Sequence, residues 1–213
     1  MAVVGILPAA GSGERLGGSG PKAFALCGGR PLLDWSLDVL ESVCDRVVVA
    51  VPAGYEDGVD RVVGGTSRSA SVRAALAAAP EAGVAVVHDA ARPLVSRELV
   101  ERCIAALSDG FAGAVAAAPV SDTIKEAGPD RRVVRTLERS KLWAIQTPQV
   151  FRADVLRRAL DVPDEVLAAA TDDASLVEAA GGSVCVVEAP ADNLKVTRPL
   201  DLELAEALLR ARC

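Results

Sequence analysis

The sequence is poor in the residues by which enzyme chemistry is most easily recognised. It has one histidine, and its five cysteines, Cys27, Cys44, Cys103, Cys185 and Cys213, include no C-x-x-C pair. That spacing gives no support to a zinc or redox-active site, and an odd number of scattered thiols fits reduced cysteines acting mostly as small core residues. No G-x-S-x-G elbow occurs and no serine is an obvious partner for His88, so a Ser/His/Asp nucleophile is disfavoured. No apolar run approaches the roughly 20 residues of a membrane-spanning helix. The amino-terminal stretch also lacks the basic, apolar, small-residue order of a secretory signal, which predicts a cytoplasmic protein. Positive charge is not in excess: 23 Lys and Arg against 29 Asp and Glu give a net charge of −6. A nucleic-acid-binding face is therefore not expected, and a small anionic substrate would need a locally concentrated basic cluster. Internal repeats and low-complexity linkers are absent as well.

What is present is an ordinary globular composition. Its 213 residues, 51% hydrophobic and 24% charged, suffice for one sizeable core and predict a single domain over 1–213. The chain is organised around PAAGSGERLGGSGPK, residues 8 to 22, which follows the apolar run Ala2 to Leu7. The run reads as a buried strand delivering a glycine-rich loop to the carboxyl edge of a sheet. Gly11, Gly13, Gly17, Gly18 and Gly20 let backbone N–H groups approach a polyphosphate, and Arg15 and Lys22 add charged donors. A nucleoside triphosphate fits that combination.

Two familiar phosphate motifs do not. A dinucleotide fingerprint needs glycine where Leu16 stands and an acidic residue after the second strand, but Val47–Val51 runs into Pro52. A P-loop needs Gly-Lys-Ser/Thr, whereas Lys22 lies between Pro21 and Ala23.

Downstream, the patterning predicts helices over 31–40, 67–79, 96–107, 153–160 and 199–210, and another after Thr171. Strands are expected over 46–51, 84–88, 112–118 and 183–188, with a short helix and a short strand sharing 54–64. Alternating strands and helices predict a Rossmann-like, three-layer α/β fold whose sheet is mostly parallel, with ligands at the strands' carboxyl ends. Between Pro119 and Phe151 the pattern changes. DTIKE (122–126) and RVVRTLE (132–138) flank the turn Ala127–Asp130. Such a hairpin is marginal alone, so an arm at about 120–148 packing on a second subunit is expected.

His88 and Asp89, in VVHDAARP, arrive at the same sheet edge as the glycine loop. His88 reads as structural. Asp89 is the better functional candidate, since a carboxylate there can hold a ribose hydroxyl or a phosphate-bound Mg²⁺. Arg92 alone reads as a packing arginine.

Together, PAAGSGERLGGSGPK, GGTSRSASV, HDAARP, SDTIK, LERSKLW, QTPQ, TDDAS and DNLKVTRP resemble, in order and spacing, the 2-C-methyl-D-erythritol 4-phosphate cytidylyltransferases of the non-mevalonate isoprenoid pathway. The resemblance spans essentially the whole chain. It implies transfer of CMP from CTP, with Mg²⁺, to methylerythritol phosphate by in-line attack of the acceptor phosphate. Carried over by motif, Arg15 and Lys22 stabilise charge on the triphosphate, and Ala9, Ala10, Gly11 and Gly13 line the nucleotide site. Gly65 and Ser71 help to read the cytosine edge; Asp89 and Ala90 lie near the ribose and a metal held mainly by CTP phosphates. Lys195 positions the attacking phosphate. By the same resemblance, Thr123 and Arg139, on the arm, would reach into the neighbour's site in a homodimer with arm exchange, and Thr147 and Thr171 would serve the same acceptor pocket. Thr171 reads equally well as an N-cap.

The departures are Glu14, where some relatives are basic, and Thr66 and Ser67 ahead of Arg68. A ribitol 5-phosphate cytidylyltransferase shares fold and nucleotide loop, and SDTIK with ERSKLW resembles the methylerythritol enzymes better. From other classes, a nicotinamide oxidoreductase is weakened by the broken fingerprint, and a non-catalytic nucleotide binder by the joint presence of Lys22 and Lys195.

Overall fold

The structure is a computed structural model that describes residues 1–11, 13 and 20–212. Strand β1 (Ala2–Pro8) is its centre: Val4 and Ile6 enter one apolar cluster and Leu7 the other, so the strand is buried on both faces. It pairs in parallel with β4 (Arg46–Val51) and β6 (Ala82–Val87). The complete sheet runs β11–β7–β10–β6–β1–β4–β5, where β5 is Arg61–Val63, β7 Gly113–Pro119, β10 Trp143–Arg152 and β11 Val184–Glu188.

Helices cover both faces. On one, α2 (Arg68–Ala77), α4 (Ala153–Leu160), α5 (Asp164–Ala169) and α6 (Asp173–Ala179) contribute Val72, Leu156, Leu167 and Val177 to the cluster around Ile6 and Phe151. On the other, α1 (Leu32–Glu41) and α3 (Arg97–Ala105) contribute Leu33, Leu40, Leu99 and Val100. Helix α7 (Pro199–Arg212) joins a satellite cluster with Cys27, Leu32, Leu94 and Val196. Ser67 caps α2 by accepting from the Ala70 amide at 3.2 Å, and Ser96 caps α3 from the Leu99 amide at 3.2 Å.

The mostly parallel sheet is as expected, and one strand breaks it. β10 runs antiparallel between β6 and β7, although Pro148 in its sequence argues against a central strand. The register shifts between Ile145 and Gln149, so Pro148 falls where the ladder is already interrupted. The helix expected within 54–64 is not formed: β5 occupies 61–63, while Gly54, Gly58 and Asp60 take φ of +87°, +136° and +58°, which a right-handed helix cannot absorb. Helix α5 and a short hairpin escaped the pattern. The six residues of α5 are too few to show a period, and β2 (Leu26–Cys27) with β3 (Arg30–Pro31) form a minimal hairpin about Gly28–Gly29, both at positive φ. The cap of α6 is Asp172, which accepts from the Ser175 amide at 3.0 Å; Thr171 stands one residue too early.

The hairpin is present as a separate two-stranded sheet, β8 (Lys125–Ala127) with β9 (Val133–Thr136), its strands shorter than expected. Every residue of both strands is exposed, Val133 and Val134 at 55% and 67%.

Candidate active site

The carboxyl ends of β1 and β6 and the loop between β5 and α2 converge on a cavity of about 720 Å³. Its walls include Ala9, Ala10, Gly11, Gly13, Lys22, Gly65, Ser71, Asp89, Ala90 and Lys195, all expected at a nucleotide site or its chemistry. Arg15 and Glu14 lie outside the described residues.

Close backbone packing shapes this wall. Gly13 has φ +74°, and a Cβ there would lie 2.6 Å from Lys22 Cβ and 2.9 Å from the Lys22 amide nitrogen. Gly13 therefore packs directly against Lys22. A Cβ on Gly64 would meet Ala10 Cβ at 2.5 Å and Ser71 Oγ at 2.9 Å, so Gly64 brings the β5–α2 loop onto the Ala9–Ala10 turn. Ser71 Oγ accepts from the Gly65 amide at 3.1 Å and donates to the Ser67 carbonyl at 2.9 Å. Its hydroxyl shapes the loop that carries Gly65.

Asp89 sits between two cations. Arg68 Nε donates to its Oδ1 at 2.8 Å and Lys195 Nζ lies 2.7 Å from its Oδ2. Burial opposes ionisation of this carboxyl, yet Arg68 and then Lys195 outweigh it and hold Asp89 well below the usual carboxylate range. Arg68 also reaches Asp173 Oδ2 at 2.5 Å, a fully buried carboxylate. Burial disfavours the charged guanidinium, and Asp89 and Asp173 more than restore it.

A second cavity of about 480 Å³ lies beyond this cluster and shares Arg68, Asp89 and Lys195 with the first. Thr147 and Thr171, the expected acceptor residues, are on its wall. Thr171 is exposed, whereas Thr147 is 3% exposed and its Oγ1 already accepts the Asp89 amide at 3.0 Å and meets His88 Nδ1 at 3.0 Å. Thr123 and Arg139 line neither cavity. Both are exposed, and Arg139 Nη1 donates to the Ser121 carbonyl at 2.6 Å.

His88 is fully buried, as expected of a structural histidine, and burial pushes its pKa down to about 4. Lys195 is held in place by its loop: the buried Val196 donates its amide to the Ala91 carbonyl at 2.8 Å, and Asn193 is fully buried. Burial also raises the thiols of Cys27 to about 11 and of Cys44 and Cys103 to about 12, which leaves them unreactive near neutrality. These three and Cys185 are unpaired.

The model of the family 2-C-methyl-D-erythritol 4-phosphate cytidylyltransferase matches residues 3–211. The chain belongs to this family. A cytidylyltransferase of that name from Frankia casuarinae is 47% identical over 99% of this chain and 82% of its own length; one from Nocardia farcinica is 46% identical over 99% and 95%. Among solved structures, the 2-C-methyl-D-erythritol 4-phosphate cytidylyltransferase of Thermus thermophilus is similar with a TM-score of 0.83 at 40% identity, covering 99% of this chain and 100% of that one. Family membership makes the chain a nucleotidyltransferase, and the larger cavity, with its glycine walls and Lys22, has the chemistry for a nucleoside triphosphate.

Reading by sequence missed Arg68 and Asp173 as members of the site. A signal was there for Arg68: it is the first residue of α2, where the helix dipole disfavours a cation, and the first turn carries no acid to offset it. Asp173 gave none, because an acid after a capping aspartate is common at helix starts.

Proposed function

We propose that this cytidylyltransferase transfers CMP from CTP to 2-C-methyl-D-erythritol 4-phosphate, releasing pyrophosphate. The observation that carries the reading is the junction of two cavities at Lys195 and Asp89, one with a glycine wall suited to a triphosphate and one with hydroxyl groups suited to a phosphorylated polyol. An acceptor phosphate in the smaller cavity would face the α-phosphorus in the larger. One of its oxygens attacks that phosphorus, the bond to the bridging oxygen of the β-phosphate breaks, and pyrophosphate leaves with the electron pair. No proton need move and no covalent enzyme intermediate forms, so the protein's part is positioning and charge neutralisation. Lys22 neutralises the triphosphate together with Arg15, and Lys195 aligns the attacking phosphate. Gly65 offers backbone groups to the base, beside Ser71.

Mg²⁺ belongs to this reading. Among the described residues, Asp89 is the one carboxylate on the larger cavity's wall, and no cluster of three His, Cys, Asp or Glu could hold a metal. That donor set fits an ion held chiefly by phosphate oxygens with a single protein carboxylate, Asp89. Bound there, the ion would neutralise charge on the triphosphate.

The working unit in this reading is a homodimer with exchanged arms. Val133, Val134, Trp143 and Ile145 are exposed apolar residues on or beside the arm, and Thr123 and Arg139 line neither of the two cavities. Delivered by a partner's arm, these two residues would complete the acceptor pocket. Each chain acts as one catalytic domain, and the unpaired, burial-silenced thiols favour the reducing cytoplasm as its compartment.

The test is pyrophosphate release from CTP and Mg²⁺ with methylerythritol 4-phosphate or ribitol 5-phosphate, run side by side. Release with the former alone is expected. Release with ribitol phosphate alone would overturn the acceptor assignment.

A further inference from the structure

His88, Thr147, Asn193 and Arg92 close a ring of hydrogen bonds beside the smaller cavity, whose wall includes Thr147 and Arg92. Thr147 Oγ1 meets His88 Nδ1 at 3.0 Å, His88 Nε2 meets the Arg92 carbonyl at 3.2 Å, Arg92 Nη1 donates to the Asn193 carbonyl at 2.7 Å, and Asn193 Nδ2 donates to the Thr147 carbonyl at 2.9 Å. None of the four residues is more than 8% exposed.

The partners decide the direction of every bond. A carbonyl oxygen only accepts, so His88 Nε2 carries the hydrogen. An imidazole buried without a carboxylate bonded to it is neutral, which leaves Nδ1 bare to accept from the Thr147 hydroxyl. A lone pair on Thr147 Oγ1 is then free for the Asp89 amide, which donates to it at 3.0 Å. Likewise the Thr147 carbonyl requires Asn193 to present Nδ2, and the same nitrogen reaches Gln146 Oε1 at 2.8 Å.

We infer that this ring is the device that sets Asp89 and Lys195 at their separation, and that His88 and Asn193 are positioning residues for the transfer. Asp89 follows His88 in the chain and hangs from Thr147 by its amide. Lys195 is two residues beyond Asn193. The two members of the 2.7 Å ion pair are thus fixed from opposite sides of one rigid ring. The inference deepens the proposed function and rests on it for the part Lys195 plays. It also gives Thr147 a second duty: its hydroxyl is committed to the ring before any acceptor arrives.

The chain's single histidine makes the ring directly observable. In ¹⁵N-labelled protein without substrate, near neutral pH, long-range ¹⁵N–¹H correlation should show one bare and one protonated ring nitrogen, the bare one being Nδ1. A bare Nε2, or an imidazolium, would overturn the ring. This measurement needs no turnover, so it is independent of whether the acceptor has been named correctly.

Kinetics test the positioning role. Thr147→Val and Asn193→Ala should each lower kcat roughly 10- to 100-fold by loosening the Asp89–Lys195 geometry, whereas Thr147→Ser, which keeps the hydroxyl, should restore most of it. Calorimetric CTP affinity should fall less than kcat, because Gly11, Gly13 and Gly65 on the larger cavity's wall are not members of the ring and Asp89 is only one of that wall's contacts. Unchanged kcat in both variants, or failure of both to fold, would reduce the ring to structural support and refute the inference.

Discussion

Asp89 Oδ2 and Lys195 Nζ lie 2.7 Å apart on the wall common to the two cavities, with Arg68 holding the other oxygen of Asp89. A cation and an anion that would otherwise act separately on phosphates are therefore paired before substrates bind. The charge of the whole chain is negative, so the local gathering of Lys22, Arg68, Arg92 and Lys195 around these cavities is what would favour an anionic ligand there.

Lys22→Ala and Lys195→Ala should each cut turnover by orders of magnitude and leave the fold intact. The Lys195 side chain is 41% exposed, so its ion pair adds little stability, and the loss expected is that of the proposed charge on the transition state. Steady-state pyrophosphate release with circular dichroism of the same samples checks this; near-normal turnover in both variants would refute the assigned roles.

Arg68→Met should be the more damaging to stability. Asp173 is fully buried, and removing Arg68 strands its charge while leaving Asp89 to Lys195 alone, at a cost of about 3 kcal/mol or more. Urea denaturation would register it as a lower midpoint, and a loss under ~1 kcal/mol would show that water already reaches the pair.

Stability should fall as the pH drops through the range below His88's ordinary pKa. Unfolded, this histidine gains a proton below about 6.5; folded, burial delays protonation to about 4. Between those values the unfolded chain binds more protons, so acidification favours unfolding, by about 3 kcal/mol over the whole span. Asp89 acts in a lower window: its carboxyl is held below the usual range, so its contribution is intact above about 4 and is lost only on further acidification. Urea midpoints near pH 7, 5.5 and 4.5 should decline in order, and a flat series would contradict the buried neutral imidazole.

Arg139→Ala should raise the KM for the acceptor far more than that for CTP, since Arg139 lies on neither cavity of its own chain. Mixing it with Lys22→Ala should restore activity through heterodimers carrying one complete site. No recovery in proven heterodimers would remove the exchanged-arm arrangement.

The features legible in the sequence are those set by neighbours in the chain. Continuous apolar, β-branched runs mark β1 and β4, Ser67 and Ser96 mark the starts of α2 and α3, and glycines mark the turn that faces the larger cavity; each is a local steric or hydrogen-bonding preference. Antiparallel β10 was not legible, because Pro148 argues against a central strand and only the partners on either side show where the ladder can spare an N–H. The same holds for the chemistry. Lys22 and Asp89 stand in motifs, but Arg68 joins the site through carboxylates 21 and 105 residues away, and Thr147 meets His88 across 59. Local sequence determined which groups are carried to the sheet's carboxyl edge. Their pairing was decided by the tertiary structure alone, because burial makes an unpartnered charge or polar group costly, and the partner that relieves it is whichever side chain the packed elements bring within reach.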